Sequence, residues 1–446
     1  MRIHILQVVG NSGLRSNKDT NGGYGTSNDF GRRLVARMLK GYKNRSMNFP
    51  EILPAYVNAI LKGQGHAVSY GRNEVLEGAD ILLIQTSIIN YRHELEWARK
   101  IKQNHPQIKV GFMGGMSGAN PGLYQDKADF VIQGEVENAL LEKDIASFTG
   151  VVEGGLTADL DRLPFPDWSY IQDWRQGYGL IFPGKTRLLP MSTSRGCPMV
   201  CAYYCTYPLT QGKELRTRSP ELVVAEAEYL QKEFGMTAVM FRDPIFSLNM
   251  ERVEQICELI LMKNLRFSWI CETHPRYLTP SLIKLLRRAG CISVKLGIES
   301  GDMDVMMKSW RALPDLERQE SIVKCCEANG IRVLAFYILG YMYDTRASIL
   351  KTIEYAQRLN TYGAQFTIAT PYPGTQWFTD LAYDPQRYAL DEDYERYNQY
   401  RLVFRHPNLS FDELEDLKNK AYRRYYLRLS FVTKNILSLS PGINGN

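Results

Sequence analysis

The sequence predicts an α/β protein built from two units. The first is an N-terminal Rossmann-like parallel sheet. The second is a partial (β/α)6 TIM-type barrel carrying a C-terminal helical extension. Three observations predict this. Short apolar runs alternate with amphipathic stretches in residues 1–150 and again from Leu188, and strand–helix alternation makes parallel sheets covered on both faces. Glycines cluster where strands of the first series end, at Gly114-Gly115 and Gly134. A proline-punctuated stretch, Leu163-Pro-Phe-Pro-Asp-Trp168, separates the two series and cannot be helical throughout. The expected plan is residues 1–150 for the first unit, 151–185 for a connector, 186–380 for the barrel and 381–446 for the extension; a length of 446 residues fits such a division.

In the first unit, strands are expected at Ile3–Val9, Ala67–Tyr70, Ile81–Gln85, Val110–Met113 and Phe130–Gln133. Helices are expected at Ile52–Leu61, His93–Asn104 and Asn138–Phe148. Residues 10–47 are rich in Gly, Asn and Ser and show no periodicity, which predicts an inserted loop and a candidate lid. In the barrel, strands are expected at Leu188–Thr193, Thr237–Phe241, Arg266–Cys271, Ser293–Ile298, Arg332–Ile338 and Gln365–Ala369. They alternate with helical patterns at Pro220–Lys232, Met250–Met262, Pro280–Ala289, Asp315–Ala328 and Ser348–Leu359. Reactive residues of such barrels come from the carboxyl ends of the strands. Ser410-Phe-Asp-Glu413 is a capping box that opens a last helix, Leu414–Leu427.

Fifty-four Lys+Arg against 48 Asp+Glu leave a net charge of +6, spread along the chain, which argues against a nucleic-acid partner. No apolar run is long enough to span a membrane, and the N-terminus lacks a signal-peptide pattern, so a cytoplasmic protein is expected. The eight cysteines are too few for a disulfide scaffold. Cys257, Cys271, Cys291, Cys325 and Cys326 are scattered through apolar patterns and read as small buried hydrophobes. Cys197, Cys201 and Cys205 are clustered directly after the first barrel strand. Zinc sites use paired C-x-x-C or histidine partners, and none stands nearby. Three thiolates on one loop can hold three irons of a cubane cluster, leaving the fourth iron open to an external ligand.

The segment Ser194-Arg-Gly-Cys197-Pro-Met-Val-Cys201-Ala-Tyr-Tyr-Cys205 resembles the cluster loop of the radical S-adenosylmethionine superfamily. There a 4Fe-4S cluster binds S-adenosylmethionine at its open iron and cleaves it reductively. The usual spacing is C-x3-C-x2-C; this chain has C-x3-C-x3-C, and whether Tyr203 or Tyr204 lies near the adenine stays open. The resemblance implies further cofactor contacts: Asp243 in Phe241-Arg-Asp-Pro, Glu299 and Ser300 in Gly297-Ile-Glu-Ser-Gly301, and Gly340 and Tyr341 after the fifth strand. Pro371-Tyr-Pro-Gly-Thr375 also matches, and His274 and Arg276 are candidates for the cofactor carboxylate or the substrate. A helix-capping role is the plainer alternative for Asp243.

One branch of that superfamily places a cobalamin-binding domain before the barrel, and the order here resembles it. Lys109-Val-Gly-Phe-Met-Gly-Gly-Met116 and Phe130-Val-Ile-Gln-Gly-Glu135 resemble the branch's corrin-lining strand ends. This implies Gly114, Gly115 and Gly134 at the cobalamin, with Thr86 and Ser87 at its nucleotide tail. The Asp-x-His-x-x-Gly that supplies an axial histidine is absent; the loop after the first strand reads Gly10-Asn-Ser-Gly-Leu-Arg15. The implied function is methylation of an unactivated carbon of a small-molecule substrate, with an external electron donor such as flavodoxin or ferredoxin. A cobalamin-associated cyclisation or rearrangement is the alternative within the family. A non-catalytic iron–sulfur regulatory protein is the alternative outside it.

Overall fold

The computed structural model describes residues 1–10, 16–27, 30, 33–75, 77–171, 176–178, 181–309, 315–431 and 433. Loop residues 11–15 and residues 434–446 of the expected extension lie outside the described residues.

Six parallel strands form the first sheet: β1 Arg2–Gln7, β2 Ala67–Arg72, β3 Ile81–Gln85, β4 Lys109–Met113, β5 Phe130–Gly134 and β6 Gly150–Gly155. Their order is β2-β1-β3-β4-β5-β6, so the winding reverses at β1 and opens a crevice beyond the carboxyl ends of β1 and β3, the usual ligand position in such sheets. β6 falls where the connector was expected. Three of its six residues are glycine, and as an edge strand it buries only alternate positions, which leaves little apolar signal.

One face of the sheet packs Ile3, Ile5, Leu83 and Ile132 against Val57, Ile60 and Leu61 of helix Ile52–Gly63 and Ala139 and Leu140 of helix Val136–Glu142. The other face packs Leu82, Ile84, Val110 and Phe112 against Ala98 and Ile101 of helix Tyr91–Asn104. Tyr372, Tyr397 and Val403, from far along the chain, complete that second face.

The second sheet is also parallel: β7 Leu188–Met191, β8 Ala238–Phe241, β9 Ser268–Thr273, β10 Cys291–Glu299, β11 Arg332–Leu339 and β12 Gly363–Ile368, paired in chain order. Among the described residues β7 and β12 do not pair, so the sheet is an open partial barrel. Its outer face buries Val239, Phe241, Trp269, Val294, Leu296 and Val333 under the intervening helices and under helix Phe411–Tyr426, which the Ser410/Glu413 capping box starts. One end of its inner face is plugged: Ile181 and Phe182 pack on Leu188, Ala238, Met240 and Ile270.

Residues 10–47, expected to be loop, contain a helix at Leu34–Ser46 and a short antiparallel ladder of Ser16–Asn17 with Thr26–Ser27. The helix escapes a periodicity argument because Leu34 and Met38 are exposed while the small Ala36 is buried.

Candidate functional site

A cavity of about 850 Å³ lies between the carboxyl ends of the two sheets. The first unit contributes Gln7, Tyr70 and Arg72 to its wall; the barrel contributes Arg242, Glu272, Lys295 and Glu299; Cys201 and Cys205 open onto it.

The cysteine loop is held by its backbone. Ser194–Arg195 pairs antiparallel with Arg216–Thr217, and Cys197 N–H donates to the Gly212 carbonyl at 3.1 Å. Gly196 has φ +89, and a Cβ there would sit 1.8 Å from the Glu214 carbonyl oxygen, so this turn admits only glycine. Val200–Tyr203 forms a single helical turn, and Cys205 N–H donates to the Cys201 carbonyl at 3.0 Å. That turn absorbs the extra residue of the C-x3-C-x3-C spacing.

Hydrogen bonding to the Cys201 thiol and then burial push the Cys205 thiol well up, with Cys197 adding to the shift, so the three sulfurs share one electrostatic neighbourhood. None of the eight cysteines is in a disulfide. Among the described residues no three His, Cys, Asp or Glu side chains, the three cysteines included, are already drawn together as a metal site. Three free thiols on one loop, two of them facing a cavity, are the donor set of a three-cysteine cluster with an open fourth position.

Two glutamates of the first unit clamp this loop. Arg195 pairs with Glu135 at 3.1 Å and with Glu137 at 2.6 Å; Arg216 pairs with Glu135 at 2.7 Å. Burial opposes ionisation of Glu135, but Arg195 and Arg216 outweigh it and hold the carboxyl at about 2.

Asp243, expected at the cofactor, is buried and is not among the residues that line the cavity. It accepts from Thr193 N–H at 2.7 Å, from the Thr193 hydroxyl, and from the Ser194 hydroxyl at 2.9 Å. It therefore fixes the strand end that launches the cysteine loop, and it is no helix cap either. Ser300 is also turned inward, its hydroxyl bonded to that of Thr352 at 2.9 Å. His274 caps the turn Pro275–Tyr277 by accepting from Arg276 N–H, so neither His274 nor Arg276 joins the site.

Glu299 does line the cavity. It is a buried non-glycine residue at φ +71, next to a register shift between Gly297 and Glu299, and strain of this kind persists where function demands it. The Tyr341 hydroxyl donates to Glu299 at 3.5 Å and lies 3.3 Å from the Tyr204 hydroxyl. Gly340 provides the turn at φ +82, and the N–H groups of Gly340 and Tyr341 both donate to Asp344, at 2.9 and 3.0 Å. Tyr204 faces the cavity, whereas Tyr203 donates to Asp380 at 2.8 Å beside a second cavity of about 430 Å³. Tyr372 of the Pro371–Thr375 segment lines the main cavity, and Tyr24 donates to the Pro373 carbonyl at 2.6 Å, tying the two units together.

The residues expected at cobalamin are internally satisfied and do not line the cavity. Thr86 donates to Met113 O at 3.1 Å and Ser117 Oγ at 2.9 Å; Ser87 donates to both Glu94 oxygens, at 2.9 and 2.8 Å. Lys18 fills the crevice, donating to Gln85 O at 2.5 Å and Glu94 Oε1 at 2.7 Å. A Cβ on Gly115 would lie 2.4 Å from Gly22 O, and one on Gly134 2.4 Å from Gly155 O. These glycines serve close backbone packing.

Sequence reasoning missed Arg242, Glu272, Lys295 and Lys43, all of which line the cavity. A signal was available. Glu272 and Lys295 stand opposite one another in the register of two otherwise apolar strands, and charges there are costly unless they are used.

Residues 191–356 match the Radical SAM superfamily. An uncharacterized methyltransferase, PH0819, of Pyrococcus horikoshii is 30% identical over 285 residues, 63% of this chain and 59% of that protein. The chain thus spans less than two thirds of that relative. The bacteriochlorophyllide d C-12(1)-methyltransferase of Chlorobaculum tepidum is 24% identical over 359 residues, 78% of this chain and 75% of that one. In fold, the chain is similar to the radical S-adenosylmethionine methyltransferase TsrM of Kitasatospora setae, solved with cobalamin and a [4Fe-4S] cluster, at TM-score 0.62 and 14% identity over 86% of this chain and 78% of that one.

Proposed function

Because residues 191–356 belong to the radical SAM superfamily, we propose that the protein is a cobalamin-dependent radical SAM methyltransferase that methylates an unactivated carbon of a small molecule. The observation that carries this is that Cys201 and Cys205 open onto a cavity lying between the two sheets. A 4Fe-4S cluster on Cys197, Cys201 and Cys205 would supply the electron that cleaves S-adenosylmethionine, and cobalamin between the units would supply the methyl group. In this reading residues 1–150 and 186–380 are the working halves, 151–185 the connector and 381–446 a cover. Flavodoxin or ferredoxin is the external electron donor, and the cytoplasm is the site of action. Among the described residues no helix is long and apolar enough to cross a membrane.

The chain's own residues have defined tasks. Asp243 fixes the strand end that launches the cysteine loop, and Arg195 and Arg216 tie that loop to the first unit. Tyr204, Tyr341 and Glu299 form a hydrogen-bonded row beside it that can orient the ammonium and ribose of the cofactor.

The test is anaerobic reconstitution with iron, sulfide and hydroxocobalamin, followed by dithionite and S-adenosylmethionine. We expect 5′-deoxyadenosine from reductive cleavage, together with methylcobalamin and S-adenosylhomocysteine. Deoxyadenosine without the other two would overturn methylation in favour of cyclisation or rearrangement. Absence of deoxyadenosine would overturn the radical reading.

A further inference from the structure

Two lysines on the wall of the main cavity, Lys43 and Lys295, are used by neither the cysteine loop nor its clamp. Lys43 reaches into the cavity from helix Leu34–Ser46, donating to Gln365 Oε1 on β12 at 3.0 Å with its ammonium 4.4 Å from the centre of the Phe30 ring. Lys295 on β10 lines the same cavity and pairs with Glu272 at 3.1 Å; Arg242 shares that one carboxylate at 3.4 Å. Glu272 is thus shared by Lys295 and Arg242, while Lys43 is held by the neutral Gln365.

Glu51, Glu74 and Glu299 also line the wall; Glu51 accepts from Lys18 N–H and Glu299 from the Tyr341 hydroxyl. Burial, and then the like charge of Lys295, pull the Lys43 ammonium down to about 7, and no carboxylate among the described residues offsets them. A lysine placed like this lacks a counter-ion.

We propose that Lys43 and Lys295 form an anion-binding subsite in the barrel lumen, and that the substrate presents a carboxylate or phosphate there while its reacting carbon faces the cysteine turn. This deepens the methyltransferase reading, on which it rests for the word substrate. An anion seated between the two ammonium groups removes their repulsion and makes charge-assisted hydrogen bonds to both. Gln365 then serves as the placeholder that holds Lys43 toward the lumen.

The test reads Lys43 directly, without radical chemistry. The intact protein is reductively methylated with 13C-formaldehyde, and the Lys43 signal is identified by its absence from K43R. Its titration is then followed with inorganic phosphate, with propionate and with S-adenosylmethionine. We expect phosphate or propionate to raise its titration midpoint by about one unit or more; the stronger of the two names the chemistry as phosphate or carboxylate. Calorimetry of that anion is expected to lose about tenfold or more in affinity in K43M and K295M and to be largely kept in K43R. A signal that neither anion moves overturns the proposal, as does one that moves only with S-adenosylmethionine, which would give the pair to the cofactor. If the anion response persists while dithionite yields no deoxyadenosine, the subsite stands and the radical reading falls.

Discussion

The carboxyl ends of the two parallel sheets look onto the same space, yet they are finished in opposite ways. In the first sheet the chain has filled its own crevice: Lys18 reaches Gln85 and Glu94, Gly22 and Gly23 lie against Gly115, and Ser87 is consumed by Glu94. In the barrel the strands keep a strained glutamate, and a carboxylate shared by a lysine and an arginine, on the wall of an open cavity. Glycine motifs thus mark where backbones meet, which is also where a ligand could approach, and sequence does not tell the two apart. Charge held in an apolar strand marks a site more reliably, because burying it without use is costly.

Four outcomes would break or sharpen this contrast. The largest is expected on the open side: Cys201→Ala should reduce iron to background and abolish deoxyadenosine formation while unfolding nearly as the wild type does, since the lost side chain is small. On the filled side, Lys18→Met leaves Glu94 buried without its cation and should cost about 3–5 kcal/mol in denaturant unfolding. Unchanged stability with stronger cobalamin binding would instead show that residues 16–27 are a displaceable stopper.

The clamp between the two sides is next. Glu135 is held near 2 against an ordinary 4.5, so its contribution is present above pH 4.5 and is lost as pH falls toward 2. About 3 kcal/mol should disappear across that window in wild type and be missing from Glu135→Gln throughout. Smallest, Gly115→Ala must push the Gly22 carbonyl away and should cost about 1–3 kcal/mol, measured as a lower unfolding midpoint with iron binding intact.

Much of the fold was legible because period and punctuation agree along the chain: Met250–Met262 is a helix with the expected ends, and Ile81–Gln85 a strand with the expected ends. The cysteine loop was legible for the same local reason, as its glycine and spacing act over a dozen residues. What failed to show was decided across long separations. Asp243 is claimed by Thr193 fifty residues earlier, and Lys18 finds Glu94 only after the sheet exists. The Leu34–Ser46 helix is set by what covers it, not by its own apolar residues.

Tyr372, Tyr397 and Val403 carry a consequence for how the molecule is made. A ribosome finishes the six strands of the first sheet some 250 residues before it delivers the three side chains that close that sheet's second face. Through that interval this apolar cluster lacks three of its members, so the N-terminal half expressed alone should aggregate or recruit chaperones. Its solubility is a property of the whole translated chain.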